Sequence, residues 1–308
     1  MSEPTQQPKN WRQSVWRNPV TMKELRSRMR GRRGFVVLTA YLLAMSAFIT
    51  LIYAAYASAA NGPYGPDSRQ AGKAVFAGVL TVQVFLVIFV GPSFTVGAIS
   101  GEKERQTYDL LRTTLLSANT LVLGKLISAL SYVFLLIIAS IPLQSIAFLL
   151  GGVALVELVV SQVIILMAAI TFALWGLYCS SALRSTQAAS VATFAGALFM
   201  IAGIPFLVFL FTLFASPIMS GMSLSWAGEV ALLYLGLLLA ATNLPATLLV
   251  SEVMLLEEDA IFFFQTTVSG SPKLWFPSPW PIFLLLYSLL AVLLYWLSVR
   301  RVRQIADK

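Results

Sequence analysis

Seven apolar runs shape this chain: 35–57, 74–99, 121–150, 158–182, 188–215, 230–250 and 281–299. A helix of about 20 apolar residues crosses the hydrocarbon layer of a bilayer. Only 11% of the residues are charged, against about 25% in soluble domains. Too little polar surface is left to clothe such runs in water, so the chain reads as an integral membrane protein. Both ends are basic. Residues 1–33 hold nine Lys/Arg against Glu3 and Glu24, and Arg300, Arg301, Arg303 and Lys308 stand against Asp307. Lys and Arg concentrate on the cytoplasmic side of a membrane, so both termini are expected there. The number of crossings is then even, and one of the seven runs does not cross.

The run 230–250 is the one that fails. Pro245 removes a backbone donor from its interior, Asn243 adds a polar side chain, and only acids (Glu229, Glu252, Glu257, Glu258, Asp259) flank it. Irregular backbone at membrane depth is tolerated where protein buries it or a cavity wets it. Residues 226–251 are therefore expected to dip in from outside and return, with Asn243 and Pro245 at the break. A full crossing that leaves the tail outside is the alternative. The fold expected is one all-α polytopic membrane domain with six transmembrane helices. Segment 1–34 lies inside, 58–73 is an outer loop, 100–120 is inside, 151–157 is an outer turn that includes Glu157, and 183–187 is an inner turn. Trp275 and Trp280 suit the headgroup level, where the last span begins.

The spans are nearly free of ionisable groups; Lys125, one turn inside a helix start, is expected to snorkel to the interface. Ion-coupled carriers build on intramembrane charges, so a secondary carrier is disfavoured, and so is a membrane-embedded hydrolase. Ser180 and Ser181 have no basic partner in the sequence and read as small residues for helix packing. There is no histidine, and the single cysteine, Cys179, offers neither an internal disulfide nor metal-ligand spacing. No cofactor is expected. A phosphate loop needs a Gly-rich turn closed by Lys and a hydroxyl residue; Gly97 and Gly101-Glu102-Lys103 have the wrong spacing and no such hydroxyl. Energy for active transport would come from another polypeptide. The basic N-terminus abuts an apolar run, so orientation rather than nucleic-acid binding explains it, and it is too long for a cleaved signal peptide.

Two amphipathic stretches remain on the cytoplasmic side. In 18–34, Asn18 can cap a helix, Pro19 suits its first turn, and Val20, Met22, Leu25 and Met29 share one face opposite Lys23, Arg26 and Arg30. This reads as a helix lying in the interface. In 100–120, Glu104, Tyr108, Leu111 and Leu115 form one helical stripe. Glu102 and Glu104 stand at its N-terminal end and Arg112 nearer the other, as the helix dipole favours. Asn119 or Thr120 can then cap the next span. The polar face has mixed sign, where an anionic lipid surface would favour a basic one, so docking to a partner protein is expected.

These residues resemble a known family. The stretch beginning Asn18-Pro19-Val20, with Lys23-Glu24-Leu25, and the stretch Ile99-Ser100-Gly101-Glu102-Lys103-Glu104-Arg105-Gln106-Thr107-Tyr108-Asp109-Leu110-Leu111, closed by Leu123-Gly124-Lys125, look like the permease subunit of bacterial type-2 ABC exporters. The likeness covers 18–43 and 97–126, and the six-span layout agrees with it. Gln106 stands where glycine is commoner, and Leu115-Leu116 where a proline often stands. The resemblance implies an N-terminal elbow helix carrying Met22, Leu25 and Met29. It also implies a cytoplasmic coupling helix, with Gly101, Glu102, Glu104, Thr107, Tyr108, Leu111, Arg112 and Leu115 engaging a separate ABC-type ATP-binding subunit. A second permease copy or homologue, and the bacterial cytoplasmic membrane, complete the picture. The permease itself would be non-catalytic. A membrane scaffold without transport is the competing reading.

Overall fold

The computed structural model describes residues 32–59, 68–106, 117–219, 226–257, 261–266 and 273–306. The first helix is α1 (Arg32–Ala59); α2 (Ser68–Phe85) continues through a π turn (Leu86–Val90) and a last helical turn (Gly91–Ser93). A short α3 (Ser100–Glu104) follows, then α4 (Ala118–Leu149) and α5 (Leu155–Ala182). Next come α6 (Thr186–Leu198), a second π turn (Phe199–Gly203) and α7 (Ile204–Met219), which together make one rod. Two shorter helices, α8 (Trp226–Ala240) and α9 (Leu244–Glu257), lead to strands β1 (Phe263–Thr266) and β2 (Leu274–Pro277), and α10 (Pro279–Ala306) closes the fold.

Six of these rods are long and apolar enough to cross a membrane: Gly34–Ser58, Ser68–Ser93, Ala118–Leu149, Leu155–Ala182, Thr186–Phe214 and Pro279–Gln304. This is the pattern of a multi-pass membrane protein. The six expected runs are all present, with shifted ends. Helix α2 starts at Ser68, so the last residues of the expected loop 58–73 are helical. Helix α5 starts at Leu155, so Glu157 is inside a helix and only 5% exposed, not in a turn. The N-cap of α4 is Ser117, whose Oγ accepts from the Thr120 amide at 3.3 Å, rather than Asn119 or Thr120. At the other end of α4 the chain reverses at Gly151, whose φ of 76° lies in the left-handed region that costs glycine least.

Helix α5 is the centre of the bundle. Its widest interface is with α10, and α4, α6 and the end of α2 pack around it. Gly176 permits a close approach: a Cβ there would collide with Thr95 Oγ1 and stand 3.2 Å from the Pro92 carbonyl oxygen. The main apolar cluster runs through α1, α2, α4 and α5 and includes Phe76, Leu136, Ile165 and Phe172. Within it, Gln83 of α2 donates to Ser140 of α4 at 2.6 Å and exchanges bonds with Gln162 of α5. An uncharged polar knot of this kind joins helices where apolar surfaces supply no hydrophobic drive. A second cluster, with Ile99, Leu121, Leu177, Leu294 and Val302, packs the end of the bundle at which α3 lies.

The run 230–250 is interrupted, as its Asn and Pro suggest. Residues 241–243 separate α8 from α9, and Asn243 caps α9 by accepting from the Ala246 amide at 3.1 Å. Pro245 sits in the first turn of α9, where a missing N–H leaves no bond unmade. The Asn243 amide donates to the Met200 and Ile201 carbonyls at 2.9 and 3.0 Å, within the second π turn. Tyr287 donates to the Thr242 carbonyl at 3.1 Å. The broken backbone is thus satisfied by protein.

Strands β1 and β2 pair antiparallel, with Phe264 opposite Phe276. Trp280 donates to the Ile261 carbonyl at 2.7 Å, and Tyr234 of α8 donates to the Trp275 carbonyl at 2.6 Å. The elbow residues Met22, Leu25 and Met29 lie outside the described residues, as do Thr107, Tyr108, Leu111, Arg112 and Leu115.

Candidate functional site

The charged motif between the second and third long helices joins a cluster of polar contacts with α4, α5 and α6. Ile99 and Ser100 bring their amides onto Ser180 Oγ of α5, at 2.9 and 3.0 Å. This is the work of Ser180, which the sequence reads only as a packing residue. Its hydroxyl accepts two amide bonds that α3 would otherwise leave open at its start. Ser100 Oγ lies 3.2 Å from Thr186 Oγ1 of α6.

The next three charges each engage a different helix. Glu102 Oε1 stands 2.6 Å from Lys125 Nζ of α4. Lys125 is 3% exposed and also donates to the Ala98 carbonyl at 2.6 Å. It does not snorkel, contrary to the sequence expectation. The ammonium turns inward because Glu102 and a free carbonyl at the end of the second rod meet it there. Lys103 Nζ donates to the Ser181 and Leu183 carbonyls at 2.7 and 3.3 Å, at the C-terminal end of α5, where unpaired carbonyls gather. Glu104 accepts the Thr186 amide on Oε1 at 2.7 Å and the Thr186 hydroxyl on Oε2 at 2.8 Å, at the N-terminus of α6.

The environments of these groups follow from the contacts. The Thr186 amide, then its hydroxyl, hold the Glu104 carboxyl below its usual range. Burial, and then the neighbouring Arg301 of α10, lower the Lys103 ammonium. Glu102-Lys103-Glu104 is therefore a three-pronged tie onto α4, α5 and α6, at the end of the continuous path from α2.

Of the residues singled out in the sequence, the structure brings Glu102 and Glu104 into this tie. Gly101 carries its amide to the Gly97 carbonyl within the same turn. Helix α3 ends at Glu104, Arg105 caps it, and Gln106 takes φ 55°; the rest of the expected stripe, Tyr108, Leu111 and Leu115, lies outside the described residues. The left-handed conformation at Gln106 explains why glycine would be comfortable there. Asn243 and Pro245 lie in a separate place, at the break between α8 and α9.

Lys103, Lys125, Ser180 and Thr186 complete the cluster, and spacing alone does not reveal them, because partners 23 to 82 residues apart meet only through helix packing. The one legible hint is a lone lysine one turn into an otherwise apolar helix. The chain matches no protein-family model and no curated protein.

Proposed function

We propose that this chain is the membrane-spanning permease subunit of an ATP-driven exporter of the type-2 ABC class, non-catalytic itself and working with a separate ATP-binding subunit and a second permease copy or homologue. The observation that carries the reading is the tie made by Glu102, Lys103 and Glu104. It fastens α3, which precedes segment 107–116 in the chain, to the ends of α4, α5 and α6 at once. A partner that grips Tyr108, Leu111 and Leu115 would therefore load three long helices together. That is what a coupling element requires, because coupling is carried by contiguous packed and hydrogen-bonded networks.

The topology in this reading places both termini and α3 in the cytoplasm of a bacterial cell, with the elbow helix at 18–34 in the inner interface. Helices α8 and α9 form the re-entrant hairpin. Their 15 and 14 residues support it. At 1.5 Å per residue such helices span only about 22 Å, short of the roughly 30 Å hydrocarbon core. Reporter fusions after Glu258 and after Asp307 are expected to read outside and inside respectively, and a cytoplasmic Glu258 would remove the hairpin.

The reading is tested by purification from the native membrane. An ATP-binding-cassette ATPase should accompany the chain, and the chain stripped of it should hydrolyse no ATP. A pure preparation with no associated ATPase, from cells that express one beside it, would favour the scaffold.

A further inference from the structure

A cleft of about 390 Å³ opens between α2, the rod α6–α7 and α9. Its walls include Val84, Phe85, Phe89, Ile201, Leu248 and Leu249, and among the described residues its polar lining is Thr81 and Glu252. Thr81 spends its hydroxyl proton on the Ala77 carbonyl at 2.8 Å, so Glu252 is the cleft's one charged group. Behind Glu252 lies a second, smaller pocket that shares Leu80, Leu248 and Glu252 with the cleft and adds Glu157, Ser161 and Ser251.

Ser161 of this inner pocket donates to the Leu158 carbonyl at 2.9 Å, but two of the pocket's other polar atoms have no such partner. Glu157 is 5% exposed and Ser251 2% exposed, yet Glu157 Oε2 and Ser251 Oγ have no hydrogen-bond partner among the described residues. Unsatisfied buried polar atoms are costly, most of all in apolar surroundings. Glu157 and Glu252 line this one pocket together, and neither makes an ion pair with a cation among the described residues, so two carboxylates share it without a base.

The geometry points to a binding site for a cationic amphiphile, with its apolar body along Phe85, Phe89 and Leu248 and its ammonium at Glu252, Glu157 and Ser251. An ammonium supplies both missing elements: N–H donors for the open oxygens and positive charge for the two carboxylates. A neutral head leaves the charge uncompensated, and an anionic head adds to it. As a cargo site this rests on the exporter reading; as a binding site it stands without it.

The test uses the full chain in phosphatidylcholine nanodiscs, with radiolabelled dodecylamine as probe and empty discs as background. Saturable binding is expected, displaced by unlabelled dodecylamine but not by dodecyl sulfate or dodecanol. Loss of a charge-assisted hydrogen bond in Glu252→Gln should weaken binding about tenfold or more. Glu157→Gln should weaken it less, and Glu252→Asp should largely preserve it. Leu249 is 60% exposed and lines the cleft, so Leu249→Trp should lower binding without disturbing the fold. Displacement by dodecyl sulfate or dodecanol at equal concentration, unchanged affinity in Glu252→Gln, or no signal above empty discs would each overturn the site. Normal binding without ATP-driven export would leave the site standing and remove the exporter reading. Export with Glu252→Gln binding unchanged would do the reverse.

Discussion

Lys125 shows how much depends on one side chain. Its ammonium is nearly wholly buried, and Glu102 is its anionic partner. A buried pair is weak evidence for stability, because desolvation offsets most of the attraction, but removing one member leaves an uncompensated charge. Glu102→Gln should therefore lower unfolding stability, by less than the roughly 3–5 kcal/mol of a fully buried pair because Glu102 is itself 26% exposed. The double variant Glu102→Gln with Lys125→Met should recover most of that loss. Equal loss in the single and double variants, measured by denaturant titration in mixed micelles, would mean that the pair is not coupled.

Glu104 predicts a pH dependence. Its folded carboxyl is held below the ordinary range by Thr186. Its contribution is thus fully present above that range and is lost as pH falls through the depressed folded value. Unfolding midpoints should drop on acidification in the wild type, and drop less in Glu104→Gln, which has already lost the charge. Identical slopes in both would assign the acid sensitivity elsewhere.

At the scale of elements, the break between α8 and α9 is held by the same residue that pins the second π turn. Asn243→Ala removes a helix cap, worth about 1 kcal/mol, and the amide's bonds to the Met200 and Ile201 carbonyls, worth about 0.5–1.5 kcal/mol each. Asn243→Asp keeps the cap but sets a buried carboxylate oxygen against the Met200 and Ile201 carbonyl oxygens, so it should be at least as destabilised as the alanine variant. An aspartate variant as stable as the wild type would show that the π-turn contacts contribute nothing. Gly176 is the other sensitive point. Gly176→Val drives a side chain into Thr95 and Pro92, with overpacking of about 1–3 kcal/mol.

The long helices were legible in the sequence because a run of about 20 apolar residues has few other places to go. Their ends were not. Ser68-Arg69-Gln70 look like loop residues yet form the first turn of α2, and the acid in Val156-Glu157 hides a helix start. Strands β1 and β2 were missed, since four residues each, beside prolines, carry no clear alternation. The charged motif was visible as a site, but its partners were not. Residue 102 reaches 125, and 104 reaches 186, only once four helices have packed.

At the scale of the whole molecule, one end of the bundle is tied by charge and the other is open. At the α3 end, backbone amides, an ion pair and two helix caps converge on a few residues just before segment 107–116. At the Glu157 end, Glu157 Oε2 and Ser251 Oγ lack partners among the described residues and line a small pocket that adjoins the apolar cleft. In the proposed exporter reading, the first would be the handle for a motor and the second a site that a cargo completes.

The handle can be tested directly by ATP-dependent uptake into inverted vesicles that hold the chain together with the ATPase that accompanies it. Tyr108→Ala with Leu111→Asp changes the proposed grip while leaving Glu102, Lys103 and Glu104 in place. Transport and ATPase retention should both be lost, with the chain still inserted and its unfolding unchanged. A double variant that keeps the ATPase and transports at the wild-type rate would contradict the coupling role.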